Sequence, residues 1–309
     1  MARCVKCSSE SVVELKHSNL KLCLEHFNEF FVRRVLRTIK RYQMIKRGDI
    51  ILVAVSGGKD SLVLLDVLAR VSKALDFSII GVVLDLGIEE HSKAGIKYAV
   101  KGFKERDIEY LVVNIKNDYG FSIDDVYAKR RKIRRSVCSI CGLVKRYILN
   151  DVALKLGATK VATGHTLDDI AQYILASMFS GSYDQLAKIY PISTSNIEGL
   201  VTRIKPLAET PEEDILTYAH LNKIEFLESK CPYSRGALSL EFRELLTKLD
   251  QRHPGFKVSL VRNFYKKLHP LLVKYYGVDN QRLKRCRVCG MPTTSDLCSF
   301  CKLRMRMKN

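Results

Sequence analysis

Residues Ile50-Ile51-Leu52-Val53-Ala54-Val55-Ser56-Gly57-Gly58-Lys59-Asp60-Ser61, followed by Leu62-Val63-Leu64-Leu65-Asp66-Val67-Leu68, decide the architecture of this chain. The first apolar run predicts a buried strand and the second a helix. Between them, two adjacent glycines let backbone N–H groups converge. The helix N-terminus adds positive potential and Lys59 a point charge, so the loop reads as a phosphate cradle. Taken alone, the same six residues also read as a polar turn with Asp60 or Ser61 as helix N-cap. A Walker A frame is excluded, because no Gly-x-x-x-x-Gly-Lys spacing exists here.

Working outward, strand patterns recur at residues 50–55, 78–84, 109–115, 160–163 and 224–227, separated by helical patterns at 60–73, 93–105 and 142–156. That alternation predicts an α/β fold with a doubly wound, mostly parallel sheet. Ligands of such sheets sit beyond the strand C-termini. Ser56, Gly57, Gly58, Lys59, Asp60, Ser61, Asp85, Gly164 and His165 all fall there, and Ala54, near the end of the first strand's sequence before them, joins the nucleotide-binding candidates. In Gly164-His165-Thr166-Leu167-Asp168-Asp169, Thr166 or Asp168 reads as a helix cap. The competing reading sends a carboxylate to Mg²⁺ beside a polyphosphate. His165 and Asp85 also have ordinary readings, as a satisfied turn histidine and a strand-end cap. Pro211 is expected at the first helical position of an acidic start spanning 209–214, a segment given no chemistry.

The 309 residues are 47% hydrophobic, enough for a substantial core, and carry a formal net charge of +19. Such a charge points to a polyanionic partner, nucleic acid first. Cations cluster at Lys129-Arg130-Arg131-Lys132-Ile133-Arg134-Arg135, at Arg33, Arg34, Arg37, Lys40 and Arg41, and at Lys302, Arg304, Arg306 and Lys308. No apolar stretch is long enough to span a membrane and no signal-peptide pattern opens the chain, so a cytoplasmic location is expected.

Ten cysteines in that compartment favour metal ligation over disulfides. Cys4-x-x-Cys7 with Cys23-x-x-His26, and Cys286-x-x-Cys289 with Cys298-x-x-Cys301, each supply four ligands at zinc-module spacing. Complete ligand sets imply structural Zn²⁺. Cys138, Cys141 and Cys231 remain, one short of a closed site. Three thiolates around an iron–sulfur cluster leave an iron open. A dithiol passing sulfur as a persulfide, an open zinc site and plain buried thiols are the alternatives.

Ser56–Ser61 after a strand resembles the PP-loop of the ATP pyrophosphatase superfamily, which cleaves ATP between the α and β phosphates. With the two four-ligand sets, Cys138-Ser139-Ile140-Cys141-Gly142, the 164–169 motif, Lys205-Pro206-Leu207 and Cys231-Pro232-Tyr233, the whole chain resembles the TtuA family of tRNA 2-thiouridine synthases. The resemblance implies ATP at the loop, a 4Fe-4S cluster on Cys138, Cys141 and Cys231, and catalytic roles for Lys145 and Asp169. It also implies tRNA as substrate, modified at the T-loop 5-methyluridine 54, and a thiocarboxylated ubiquitin-like protein as sulfur donor. Wobble uridine 34 thiolation, or a non-catalytic zinc-ribbon RNA-binding protein, are the alternative readings. Thr166 and Ile170 stand where the family pattern has Asn and Glu. The implied layout is an N-terminal zinc module at 1–27, a catalytic domain at 28–235, a basic helical extension at 236–280 and a second zinc module at 281–309. Two basic terminal modules are compatible with a homodimer.

Overall fold

The computed structural model describes residues 2–15, 18–131, 133, 135–193, 197–234, 238–276 and 283–308. Lys132 and Arg134 of the basic run, and the expected boundary between residues 280 and 281, lie outside the described residues. The chain opens with an antiparallel hairpin, β1 (Val13–Leu15) and β2 (Leu20–Leu22), then α1 (Leu24–Arg41). The α/β core follows as β3 (Ile50–Ala54), α2 (Lys59–Leu75), β4 (Ser78–Asp85), α3 (Glu89–Lys104), β5 (Tyr110–Asn114), α4 (Ile115–Tyr119), α5 (Ile123–Ala128), α6 (Val137–Lys155), β6 (Lys160–Ala162) and α7 (Leu167–Phe179). It continues with α8 (Tyr183–Leu186), β7 (Ile192–Ser193), β8 (Thr202–Ile204) and α9 (Glu212–Leu221). A helical run of α10 (Leu238–Arg252), α11 (Phe256–Asn263) and α12 (His269–Tyr276) leads to β9 (Lys284–Arg285), β10 (Pro292–Thr293) and α13 (Ser299–Lys308).

Six strands form the main sheet in the order β5-β4-β3-β6-β8-β7, parallel except for β7 at the edge. β3 is central, which explains its unbroken apolar sequence: both faces must be covered. Alternation sends Ile51 and Val53 into a core shared with α1 and α2, while Leu52 enters a second core with α6. The doubly wound α/β expectation is thus met. The strand expected at 224–227 is not formed. That segment crosses the end of the sheet, where Leu227 N donates to Gly57 O at 2.8 Å. One hydrogen bond to the glycine loop replaces a ladder. The parallel strand beside β6 is instead β8, whose Thr-Arg-Ile sequence carries no apolar run.

Two expected helix caps are also replaced. α2 is capped by Gly58 and not by Asp60 or Ser61, because the Ser61 hydroxyl turns back to donate to Gly58 O at 2.9 Å. Pro211 sits at the N-cap of α9 in an extended conformation, one position before the first helical residue.

The terminal modules are built into the cores. Cys4, Leu15 and Leu22 pack with Phe27 and Phe31 of α1. At the other end Phe300 stacks on Tyr147 of α6 with ring centroids 3.8 Å apart, and Cys286, Cys298 and Cys301 are buried in the same core. No described helix is long and apolar enough to cross a membrane.

Candidate active site

The 56–61 loop emerges at the C-terminal end of β3. Gly57 adopts φ +84°, a left-handed conformation that only glycine takes without strain. Ser56 N donates to Ser61 Oγ at 3.1 Å, which closes the loop on the first turn of α2. The first-turn amides of a helix have no intrahelical acceptor and gather positive potential, so this turn suits an anion. Gly164 lies against it, its position for a Cβ 3.0 Å from the Asp60 carbonyl carbon. Asp85 closes the neighbouring turn, accepting from Gly87 N at 3.0 Å and Asn114 Nδ2 at 2.8 Å.

Carboxylates crowd the same place. The Lys59 ammonium is held by Glu212 and lies 3.2 Å from Asp60 Oδ1. Arg243 bridges Asp169 at 2.6 Å and Glu212 at 3.5 Å. Burial, with the Glu212 and Asp169 charges, pushes the Asp60 carboxyl up to about 6 against the pull of Lys59. Such a carboxylate cluster favours an added cation, which fits Mg²⁺ beside phosphate. Asp169 also completes a capping box with Thr166, its Oδ2 accepting from Thr166 N at 3.0 Å. Asp168 is committed elsewhere. It is buried, paired with Lys257 Nζ at 2.5 Å, and accepts from Glu212 N at 2.8 Å. The sequence reading missed Glu212, Arg243 and Lys257, all placed here by chain distant from the loop. An acidic helix start was the sole signal for Glu212.

Three cysteines converge at the head of α6. Ser136 caps that helix, so Cys138 and Cys141 lie in its first turns, where the dipole favours negative charge. Cys231 is brought opposite by a short 3₁₀ turn, Pro232–Ser234, in which Ser234 Oγ donates to Cys231 O at 2.7 Å. The turn is fixed by Tyr233, whose hydroxyl donates to Asp124 at 2.6 Å, and Cys138 Sγ donates to Tyr233 O at 3.2 Å. Burial raises the Cys141 thiol pKa, Lys145 counteracts it, and the Cys231 and Cys138 sulfurs are close enough to add to the rise. Lys145 thus lies beside this group. It also lies near His91 and His165: burial and then Lys145 depress the His91 imidazole, and burial, with Lys205 and Lys145 against the pull of Asp169, depresses that of His165, so neutral rings are favoured there.

The terminal sets have a different geometry. Ligand atoms of Cys4, Cys7, Cys23 and His26, and of Cys286, Cys289, Cys298 and Cys301, all fall within 4.8 Å of one another. Cys7 to Cys23 and Cys289 to Cys298 are each 3.7 Å apart, and Cys23 Sγ is 3.2 Å from His26 Nδ1. Tetrahedral zinc with Zn–S bonds of about 2.3 Å needs sulfurs about 3.8 Å apart. Desolvation opposes ionisation of Cys4 and Cys286, yet amide hydrogen bonds overcome it and bring both thiols down to about 6. Thiolates so prepared suit a structural metal. Cys138, Cys141 and Cys231 are not drawn within that limit of one another, among the described residues. A multi-iron cluster, whose thiolates sit on different metal atoms, fits that wider donor set better than one ion does.

The basic run is partly engaged: Lys129 Nζ donates to Met307 O at 3.1 Å, and Arg130 lies 4.1 Å over the Tyr127 ring.

Residues 28–236 match the family model of the PP-loop domain, and residues 3–28 match that of the N-terminal LIM domain of the 2-thiouridine synthetase TtuA. The chain is 38% identical to a tRNA-5-methyluridine(54) 2-sulfurtransferase of Thermus thermophilus over 300 residues, covering 97% of this chain and 90% of that one. It is 37% identical to a protein of the same name from Pyrococcus horikoshii, covering 97% and 93%. Among solved structures, the U34-tRNA thiolase NcsA of Methanococcus maripaludis with its 4Fe-4S cluster matches with a TM-score of 0.83 at 30% identity, covering 99% of this chain and 96% of that one.

Proposed function

The chain belongs to the TtuA family of PP-loop proteins, and on that premise we propose that it is a tRNA 2-sulfurtransferase acting on the T-loop 5-methyluridine at position 54. The observation that carries the reading is the pairing of a phosphate loop at the end of β3 with a three-cysteine group at the head of α6. Identity to the position-54 enzymes, at 38% and 37%, exceeds the 30% to the U34 thiolase, which supports the T-loop over the wobble position.

Uridine O2 is a poor leaving group. Its attack on the α-phosphorus of ATP expels pyrophosphate and converts O2 into an adenylate; a sulfur nucleophile then adds at C2 and AMP departs with O2. Ser56, Gly57, Gly58, Asp60 and Ser61 would cradle the phosphates, with Ala54, Asp85, Gly164 and His165 lining the nucleotide side. Lys59 would exchange its carboxylate partners for the charge that builds on pyrophosphate. Asp60, with Asp169 beside it, would hold Mg²⁺. Lys145, next to Cys141, would neutralise the adenylated base. Asp169 caps α7 while facing Asp60, so it ties that helix to the nucleotide and acts in catalysis as the family pattern implies.

Cys138, Cys141 and Cys231 would ligate a 4Fe-4S cluster through three thiolates, the donor count of a cluster with one open iron. When bound, the cluster supplies an iron without a protein thiolate, at which the transferring sulfur is presented away from water. Zn²⁺ at the two four-ligand sets would be structural. A thiocarboxylated ubiquitin-like protein as donor, a homodimer and a cytoplasmic location complete the reading. The test is AMP formation by anaerobically purified holoprotein with tRNA and sulfide. Turnover should require tRNA and vanish in Cys138→Ala, Cys141→Ala and Cys231→Ala together with the brown colour. A colourless protein with full activity would sink the cluster, and AMP formation indifferent to tRNA would sink the function.

A further inference from the structure

Three cations of the cleft, Arg146, Arg203 and Lys205, stand together with no ion pair among the described residues, the Asp169 charge reaching Lys205 alone. Asn150 fixes how α6 lies along β8: its Nδ2 donates to Gly199 O at 2.9 Å and its Oδ1 accepts from Val201 N at 2.9 Å. A crossover helix runs antiparallel to its strands, so a step back along α6 matches a step forward along β8. One helical turn back, about 6 Å, brings Arg146. Two residues forward, about 6.6 Å, bring Arg203 on the face that Val201 occupies. The next step sets Gly142 opposite Lys205. A Cβ at Gly142 would lie 3.2 Å from an Arg146 guanidinium nitrogen, so Arg146 leans toward the cysteine end of the helix.

The charges press on one another. Burial and then Arg146 lower the Arg203 pKa, and burial and then Arg203 bring Lys205 down to about 8. Lys205 donates to Tyr190 O at 2.9 Å. Among the described residues, neither the Arg146 nor the Arg203 side chain makes a hydrogen bond or an ion pair. His165 feels Lys205, Lys145 and Arg146 together, which places the group at the cleft. Arg203 and Lys205 are half-buried and Arg146 is exposed beside them; like charges so placed cost stability, and a bound anion reduces that cost. β8 stands two strands from β3, so the strand that carries Arg203 is about 10 Å from the strand that leads into the phosphate loop. Arg146 lies on the same helix as Cys138 and Cys141.

We propose that Arg146, Arg203 and Lys205 form a second anion subsite, which grips an RNA backbone phosphodiester beside the target nucleotide and so sets the base over the central cysteines. The proposal rests on the tRNA reading above. The ATP phosphates are the other source of the same chemistry, and the experiment separates them. Arg203→Gln and Lys205→Gln are prepared as holoprotein, and three quantities are measured: the Kd for a tRNA transcript across a salt series, the ATP KM, and the melting temperature. Each variant should weaken tRNA binding about tenfold and reduce the salt slope by about one, with ATP KM within about twofold. Melting temperature should not fall, because an unpaired charge has been removed. Lys205→Arg, which keeps the charge, should restore most of the affinity. An unchanged tRNA Kd and slope would overturn the proposal, as would a raised ATP KM with tRNA binding intact. A wild type that binds tRNA without thiolating it would refute the functional reading, while the binding comparison would still judge the subsite.

Discussion

Replacing Gly57 by alanine tests the loop most sharply. Two main chains meet there without side chains between them: a Cβ on Gly57 would lie 2.2 Å from Gly95 O of α3, and a Cβ on Gly95 would lie 2.7 Å from Ser56 O. Gly57 also holds φ +84°, where an L-residue loses about 1–2 kcal/mol. Overpacking of a rigid contact adds about 1–3 kcal/mol, so Gly57→Ala should cost about 2–5 kcal/mol. Gly58 is the internal control. Its φ is −80° and the nearest atom to its Cβ position is the Ser56 hydroxyl at 3.6 Å. Gly58→Ala meets no clash and gives up only the N-cap preference for glycine, so it should cost at most about 1 kcal/mol. Gly95→Ala should gain about 1 kcal/mol of helix propensity and lose a similar or larger amount to the contact. Its signature should be displaced loop amides and weaker ATP binding at near-normal stability. Urea unfolding and ATP calorimetry on the three variants form the assay. A Gly57→Ala protein as stable as Gly58→Ala, with equal ATP affinity, would refute the close-approach argument.

If the proposed C-terminal zinc is removed, more than a terminus should unfold, because Phe300, Cys286, Cys298 and Cys301 belong to the core on α6. Chelation or Cys298→Ser should lower stability by several kcal/mol, structural zinc being worth about 10 kcal/mol in isolated modules; zinc analysis and thermal melts check it. Lys205 gives a pH signature. Burial and Arg203 depress its pKa from 10.5 to about 8, so the unfolded chain binds more protons between those values and stability rises with pH across that window. The rise is at most about 3 kcal/mol. Denaturation of Lys205→Met against wild type from pH 7 to 11 should show the difference, and parallel curves would contradict it.

The central strand, the glycine turn and α2 were legible because one continuous stretch carries strand, turn and helix signals together. The two terminal groups of Cys and His that could hold a metal were legible because Cys-x-x-Cys and Cys-x-x-His spacing already fixes a knuckle. What escaped has a physical explanation in each case. β8 is three residues long with Arg203 at its centre, so neither run nor alternation marks it. Residues 224–227 look apolar enough for a strand, yet they serve as a cover over Gly57. Gly95 sits in a helix, where its sequence neighbours say nothing of the loop pressed against it. Glu212, Arg243 and Lys257 reach the cleft by tertiary packing alone. Asp168 and Asp169 were marked together as a motif, but packing separates them, one buried on Lys257 and the other facing Asp60 and Arg243.

The central claim joins ATP activation to sulfur transfer on one tRNA uridine. Its most direct test is mass spectrometry of nucleosides and mapped fragments from tRNA incubated anaerobically with the holoprotein, ATP, Mg²⁺ and sulfide. The expected result is 2-thio-5-methyluridine in the T-loop fragment, with one AMP formed for each sulfur introduced. Sulfur found at the wobble uridine alone, or no thionucleoside while ATP is consumed, would contradict it.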